Sequence, residues 1–496
     1  MYCRYFQRMK DKKKLSIFIL FFVVAISFIQ HSPFINLDIQ GIHSWRQSQT
    51  MWNIRNFVRH DNCILNPRIN RFNGGKDNVL RYEFPLMQWC IAQCARVFGE
   101  EIKIVRISIF LIGLLSILAF TIIVKDIFDD WPVAMFSGIL FLYSPVFYYY
   151  TINPIPDNLA LAFSFIYVGF ILKHHKSHKL SHLIFASIAL MLSTLCKLPY
   201  LMFSILSIWF FLKAIFIGKN IISIFKNYAL PQLILIIPAF MWYIWVIPSW
   251  TGNPILTGQL NEAFVIDEYL HLIYYHLTTM FPNILLSIPV WIITIIGLID
   301  YCQNWRKHKW LFSLIGITFI YLILELKPIG TVHDYYMFPF LSWLYLLVAF
   351  GVSRILSFKY GYIGMIVFCV LSSVYTSVNT KQNWSVEKSY FNKDVFIYSE
   401  DLKNAVPHGE QCIILNDFTG YIFSYRIDKM GHVFHSDNLP IEWIDDLVRN
   451  YGIKYMYSDS RKVDELDGFQ NYIDEVLIEK GTIKVFKLKL PYDNIK

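Results

Sequence analysis

The chain has 496 residues, of which 55% are apolar and only 16% charged, against roughly 25% charged in an ordinary soluble domain, so a water-soluble globule is excluded. Residues 379–496 hold 15 Lys and Arg and 19 Asp and Glu, and the first 378 hold 30 and 17, so the net charge of +9 is the sum of +13 and −4. The first three quarters therefore read as a membrane domain and the last quarter as a separate soluble one. Basic charge spread over membrane loops serves orientation in a bilayer, which removes a nucleic-acid partner.

At the N-terminus Arg4, Arg8, Lys10 and Lys12 to Lys14 precede an apolar run from Leu15 to about Ile29. No small-residue cleavage site follows, so the run reads as a retained first transmembrane helix. Spanning takes about 20 apolar residues, or about 17 at the low end. By that rule eleven spans are expected, at residues 15–34, 104–124, 131–150, 157–172, 180–196, 198–217, 228–247, 281–300, 310–326, 335–353 and 360–378. Residues 84–98 are too short and carry Gln88, Gln93 and Arg96, with Phe84, Met87, Ile91, Cys94 and Phe98 on one helical face, the pattern of a helix lying in the interface. Charge supports this choice. With a cytoplasmic N-terminus the inside loops carry Lys173, Lys176 and Lys179; Lys213, Lys219 and Lys226; Arg306, Lys307 and Lys309; and Arg354 and Lys359. The outside loops 151–156 and 248–280 carry no Lys or Arg, and a spanning segment at 84–98 would invert this bias.

In that topology Asp38, Glu83, Asp157, Lys197, Asp267, Glu268, His333, Asp334 and the tail all face the outer compartment. The long first outer loop, 35–103, is of a length that is usually functional or disordered. Ser44 there is placed to cap a helix with Gln47 answering three positions on. Trp45 and Trp52 on that helix suit the headgroup level, as an aromatic anchor or as a substrate lining. The tail reads as a small α/β domain, with strands at 412–416, 453–457 and 482–488 and a helix at 440–450. It has no glycine-rich phosphate fingerprint, and its expected role is recognition or shielding of the site. The eight cysteines include no CxxC or His/Cys metal spacing.

Three carboxylates recur at one membrane surface: Asp38 after the first span, Glu83 before Phe84-Pro85-Leu86, and Asp157 behind Pro154 and Pro156. An isolated acid at a helix end needs no function, and at the start of a helix Asp157 gains about 0.3–1 kcal/mol from the dipole; the recurrence suggests a shared site. His333 and Asp334 open the tenth span and add a cationizable ring and a carboxylate, beside Tyr335 and Tyr336, which read as interface-belt tyrosines.

This arrangement resembles the integral-membrane GT-C glycosyltransferases, in the group that includes the aminoarabinose transferase of lipid A and the protein O-mannosyltransferases. The matching elements are the acid after the first span, His43-Ser44-Trp45-Arg46-Gln47, Glu83-Phe84-Pro85-Leu86, Asp157 and His333-Asp334-Tyr335-Tyr336. The fold class implied is an all-α polytopic membrane domain of GT-C type over 1–378, followed by a small soluble α/β domain over 379–496. The activity implied is transfer of a sugar from a polyprenyl-phosphate carrier to a lipid, glycan or protein acceptor on the outer face of a bacterial inner membrane. Asp38 matches the catalytic acid of the family by position. Ile39 follows it where mannosyltransferases carry a second acid, which argues against protein mannosylation, and a single proline follows Glu83 where many relatives have two.

The chemistry is consistent with those residue types. An acceptor hydroxyl attacking an anomeric carbon needs a carboxylate base, and the departing phosphate needs cations. Asp38 would be the base, with Glu83 and Asp157 orienting the substrates. Arg46, Arg55, Arg59, Arg81, Lys197 and His333 are the available donors; Arg55 and Arg59, four apart, share a helical face. A divalent ion on the carboxylates is compatible with this chemistry but not required by it. The rival reading, a flippase or transporter of lipid-linked sugars, calls for ionisable residues and helix breaks in mid-span, and mid-span charges are nearly absent here.

Overall fold

The computed structural model describes residues 2–72, 77–218, 220–250, 265–331, 333–459 and 462–491. Lys219 and residues 251–264 of the expected 248–280 loop lie outside the described residues. The chain forms two compact units. The first comprises Met1–Leu37, Tyr82–Met87 and Glu101–Lys381, and the second Asp38–Arg81, Gln88–Glu100 and Gln382–Lys496. Most of the long first outer loop thus belongs with the tail rather than with the membrane domain over 1–378.

The first unit is helical. It opens with α1 (Tyr2–Ile35). Then come α4 (Ile102–Phe128), α5 (Trp131–Leu142), α6 (Pro145–Tyr150), α7 (Asp157–Ser177), α8 (Leu180–Cys196) and α9 (Ile205–Phe216); α2 (Ser44–Arg59) and α3 (Leu86–Phe98) lie between them in sequence. The expected spans fall mainly on helical residues, but among the described residues six helices are long and apolar enough to cross a bilayer, or seven if a bent pair counts as one. The protein is an integral membrane protein, and the count of eleven spans is not reached by length and hydropathy.

Prolines explain most departures from uninterrupted spans. The stretch 131–150 breaks at Tyr143 and Ser144, before Pro145 opens α6, because proline cannot donate to the preceding turn. The expected span 281–300 lies across a bend of 110° between Ile266–Leu285 and Ile288–Lys307. Ser287 at the bend has φ 65, and Pro282 and Pro289 on either side remove amide donors from both helices. The helix Phe338–Leu356 is buried along nearly its whole length. It meets Ile288–Asn304 through glycines: a Cβ on Gly297 would lie 1.8 Å from the Leu347 carbonyl oxygen, and one on Gly351 2.2 Å from that of Ile293. Small residues let backbones approach closely where lipid removes the hydrophobic drive between helices.

The second unit is built on a five-stranded sheet ordered β2-β1-β3-β5-β4, from β1 (Cys412–Ile414), β2 (Gly431–Val433), β3 (Tyr455–Ser458), β4 (Ile473–Lys480) and β5 (Ile483–Leu488). β1 pairs in parallel with β2 and β3, and β5 antiparallel with β3 and β4. Both faces are covered. Cys412, Ile414, Tyr457, Ile483 and Val485 point into one core with Phe423 and Leu402, while Ile413, Met456, Phe486 and Leu488 point into another with Ile444 and Phe469. That is why β1, shorter than the expected 412–416, is apolar without alternation. The helix Ile441–Asn450 stands where the sequence places it. The short β2 and the charge-rich edge strand β4 were not expected.

Helix α2 belongs to this unit, and twelve of its sixteen residues are buried. Trp52 is buried and Trp45 packs against the sheet core, so these tryptophans fill protein rather than rest at headgroup level. The cap expected of Ser44 is not made: Ser44 is the first helical residue, and the cap position is His43 at φ 53. Gln47 Nε2 donates instead to the Ile42 carbonyl at 2.9 Å. Helix α3 is a thirteen-residue element, about 20 Å long and too short to cross. Its buried side is Met87, Gln88, Ile91, Ala92 and Ala95, with Cys90, Cys94, Val97 and Phe98 exposed, a face turned from the one expected.

Candidate functional site

In the second unit Asp38 is the first residue after the chain leaves Leu37. The turn behind it is docked on the start of the tail. Gln40 Nε2 donates to the Trp384 carbonyl at 2.6 Å, the Gly41 amide to Ser389 Oγ at 2.7 Å, and the Ile42 amide to the Asn383 carbonyl at 2.9 Å. Gly41 has φ +91, and a Cβ there would lie 1.9 Å from the Asn383 carbonyl oxygen, so only glycine fits this turn.

The partners of Asp38 come from the short helix Ile422–Ile427. Buried Asp417 fixes the start of that helix by accepting from the amides of Phe423 at 3.1 Å and Ser424 at 3.4 Å. From it the Tyr425 hydroxyl donates to Asp38 Oδ1 at 2.5 Å, and the Arg426 guanidinium donates to Oδ2 at 3.2 Å. The Ile39 amide adds a 2.7 Å bond to Oδ1. Burial pushes the Asp38 carboxyl up, but Arg426, Arg55 and the bonds from Tyr425 and Ile39 outweigh it and hold the group below the usual carboxylate range. The side chain keeps 41% of its surface exposed, so an ionised carboxylate remains accessible.

Arg55 and Arg59 of α2 lie on one face, as their spacing requires, and they share an acid. Arg55 and Arg59 meet Asp428 Oδ1 at 3.0 and 2.9 Å, and Arg59 also reaches Glu100 at 2.6 Å. Arg55 in addition covers the Tyr425 ring at 4.2 Å, so it supports the phenol that holds Asp38. Arg46 donates to Gln49. Arg81 donates to the Leu65 carbonyl and to Asn66 Oδ1, both at 2.8 Å, and ties that turn together.

The first unit holds its own polar cluster. Fully buried Arg106 of α4 grips the loop before α7 through the Ile152 carbonyl at 2.9 Å and Asn153 Oδ1 at 2.7 Å. It also holds the Leu37 carbonyl, the last of this unit before Asp38, at 2.7 and 3.1 Å. Asp157, fixed by that loop at the start of α7, is buried and lies 3.7 Å from Lys197 Nζ. Lys197 occupies the extended break between α8 and the 3₁₀ turn Leu198–Ser204, with Pro199 behind it. Its ammonium lies 4.6 Å over the Tyr336 ring and 6.0 Å from that of Tyr335. The His333 ring packs on Tyr336 at 4.6 Å, and its Nδ1 is 3.1 Å from the Tyr335 hydroxyl. Asp334 accepts from the Tyr150 hydroxyl at 2.8 Å. The turn carrying Glu83 is pinned by Trp242 Nε1 to the Tyr82 carbonyl at 3.1 Å and by the Phe84 amide to the Leu195 carbonyl at 3.0 Å. Glu83 and Asp157 both act electrostatically on the Tyr243 hydroxyl.

The structure thus groups Asp157, Lys197, His333 and Asp334 in one unit, and Asp38 with Arg55 in the other. It adds residues that sequence reasoning passed over. Tyr335 and Tyr336 are walls for a cation rather than belt residues. Glu325, which interacts electrostatically with Lys197, and Arg106 are charges inside runs taken as spans, a signal available in the sequence. Nothing local marked Tyr425, Arg426 or Asp428. Among the described residues no group of three or more His, Cys, Asp or Glu side chains gathers to hold a metal ion.

Comparison with known proteins adds three findings. The family model of dolichyl-phosphate-mannose-protein mannosyltransferases matches residues 83–245. A comparison with curated proteins found no match. Among solved structures, ArnT from Cupriavidus metallidurans in the apo state is similar with a TM-score of 0.65 at 11% identity, over 95% of this chain and 98% of that one. The same protein bound to undecaprenyl phosphate gives 0.60 at 12% identity, over 94% and 97%. The archaeal oligosaccharyltransferase AglB from Archaeoglobus fulgidus, in complex with an inhibitory peptide and a dolichol-phosphate, gives 0.56 at 12% identity, over 91% and 70%. The fold is that of the GT-C glycosyltransferases, in agreement with the resemblance carried by the sequence.

Proposed function

We propose that this GT-C-fold membrane protein is a glycosyltransferase that moves a sugar from a polyprenyl-phosphate carrier to a hydroxyl of a lipid, glycan or protein acceptor on the outer face of a bacterial inner membrane. The observation that carries the reading is Asp38: an accessible carboxylate held ionised by Tyr425 and Arg426, at the position of the family's catalytic acid. Asp38 takes the proton from the acceptor hydroxyl as the new bond to the anomeric carbon forms and the carrier phosphate departs with the electron pair of the broken bond. The leaving group is already a phosphate ester and needs no general acid, only positive charge. Within the first unit the cation suited to that charge is Lys197, whose ammonium stands between Asp157 and the Tyr336 ring, 14% exposed. Arg55 and Arg59 are engaged with Asp428 and support the Asp38 surroundings instead. Solved structures of similar fold bound to undecaprenyl phosphate and to a dolichol-phosphate support a lipid-linked donor.

Purified full-length chain incubated with a polyprenyl-phosphate sugar and cell-envelope acceptor extract should release free polyprenyl phosphate and label the acceptor. Deletion of the gene should leave a lipid-linked sugar to accumulate and a surface glycan short of one residue. A flippase would instead move intact lipid-linked sugar across vesicles without cleaving it, and that outcome would displace the enzyme reading.

A further inference from the structure

The end of α7 remote from Asp157 opens on a cavity of about 820 Å³. Helix α7 has 21 residues, about 30 Å of rise, so this cavity lies at the opposite boundary of the hydrocarbon layer from the Asp157 cluster. It is lined by Lys173, Lys176, Lys213, Arg306, Lys307 and Lys309. Asp126 is the one carboxylate in its wall among the described residues. That acid engages Lys173 at 3.3 Å, and its backbone carbonyl accepts from Lys176 at 2.7 Å, which leaves a strong surplus of positive charge. Apart from Ser177, His182 and His308, the remaining wall is apolar and aromatic. His175 stacks on Phe210 at 4.0 Å, Trp209 and Trp310 also line the cavity, and Leu212 and Phe216 of its wall are exposed.

Orientation in the bilayer needs basic residues in the loops of one side. It does not need the ends of α4, α7 and α9 and the turn 306–310 to converge on one concave wall with cations beside exposed apolar side chains. That pairing matches an amphiphile with an anionic head and hydrocarbon tails, and basic pockets between membrane helices on the positive side are suited to anionic lipid headgroups.

We propose that this cavity binds the phosphate headgroup of an anionic membrane phospholipid, whose acyl chains lie along Leu212 and Phe216. The test uses purified full-length chain in detergent, titrated with phosphatidylglycerol, with phosphatidylcholine or with inorganic phosphate, and follows both the thermal unfolding midpoint and the lipid retained in native mass spectrometry. The parent protein should retain phosphatidylglycerol and be stabilised by it, and show neither effect with phosphatidylcholine. The triple variant Lys213→Gln, Arg306→Gln, Lys307→Gln should need about ten-fold more phosphatidylglycerol or beyond for the same shift. Should the triple variant fold poorly, Lys213→Gln and Arg306→Gln singly should each weaken retention several-fold. Equal stabilisation by inorganic phosphate, equal retention of both lipids, or unchanged phosphatidylglycerol binding in the variants would overturn the proposal.

Discussion

Substituting Arg426→Gln tests whether the geometry around Asp38 sets its proton affinity. Two unit charges about 4 Å apart interact by about 4 kcal/mol at an effective dielectric of about 20. Asp38 is 41% exposed, and solvent screening reduces a partly exposed pair towards about 1 kcal/mol. At about 1.4 kcal/mol per pKa unit, the Asp38 carboxyl should rise by somewhat less than one unit. The sign follows from its depressed folded-state value: the carboxylate is available above that value and lost as pH falls through it. The acid limb of kcat/KM should therefore move to higher pH in Arg426→Gln, while turnover near neutral pH stays close to parental. Tyr425→Phe, which removes the 2.5 Å donor, should move the limb the same way. Asp38→Asn keeps the shape but cannot accept a proton, so turnover should fall by about 10² to 10⁴ with expression and insertion intact. The assay is release of polyprenyl phosphate from a lipid-linked sugar across pH 4 to 8. An unmoved acid limb in Arg426→Gln, or near-parental turnover in Asp38→Asn, would refute the argument.

Lys197→Gln should raise the apparent KM for donor with less effect on folding, and unchanged donor dependence would exclude it from phosphate binding. Arg106→Met strips the Leu37, Ile152 and Asn153 oxygens of their shared donor and should cost about 3 kcal/mol, since a buried unsatisfied acceptor costs about 1–3 kcal/mol; thermal unfolding in detergent reads this, and an unchanged midpoint would count against the role. Gly351→Val drives a Cβ to 2.2 Å from the Ile293 carbonyl and should lower the same midpoint by an amount in the overpacking range of about 1–3 kcal/mol, whereas Gly316→Val, with nothing near its Cβ, should not. Burial pushes the Asp459 carboxyl up to about 6 from an unfolded value of about 3.9, so it favours the folded state less as pH rises from 4 to 6. Asp459→Asn should flatten that fall, and an identical pH slope in the variant would show that another group is responsible.

What the sequence determined by itself is what depends on local composition. Apolar runs of near-bilayer length specify membrane helices wherever they occur, because backbone groups in lipid must be satisfied within the segment. The order of Asp38, Glu83, Asp157 and His333-Asp334 along those runs was readable for the same reason. Lys197 was legible as a cation on the outer side among the donors for a phosphate. The tail strands at 412–416 and 482–488 announced themselves by apolar pattern. Tertiary structure decided the rest. Helix α2 has the aromatic content of an interface anchor, and only packing against the sheet core assigns Trp45 and Trp52 to the interior of the second unit. Arg55 and Arg59 are four residues apart in any reading, yet their acid, Asp428, is more than 360 residues away in the chain. Tyr425 and Arg426 carry no local mark of function; they hold Asp38 because Asp417 anchors their helix and Gly41 brings the turn after Asp38 against Asn383. Periodicity records which side of a helix is apolar, whereas a charge's proton affinity is set by what the fold places within a few ångströms of it.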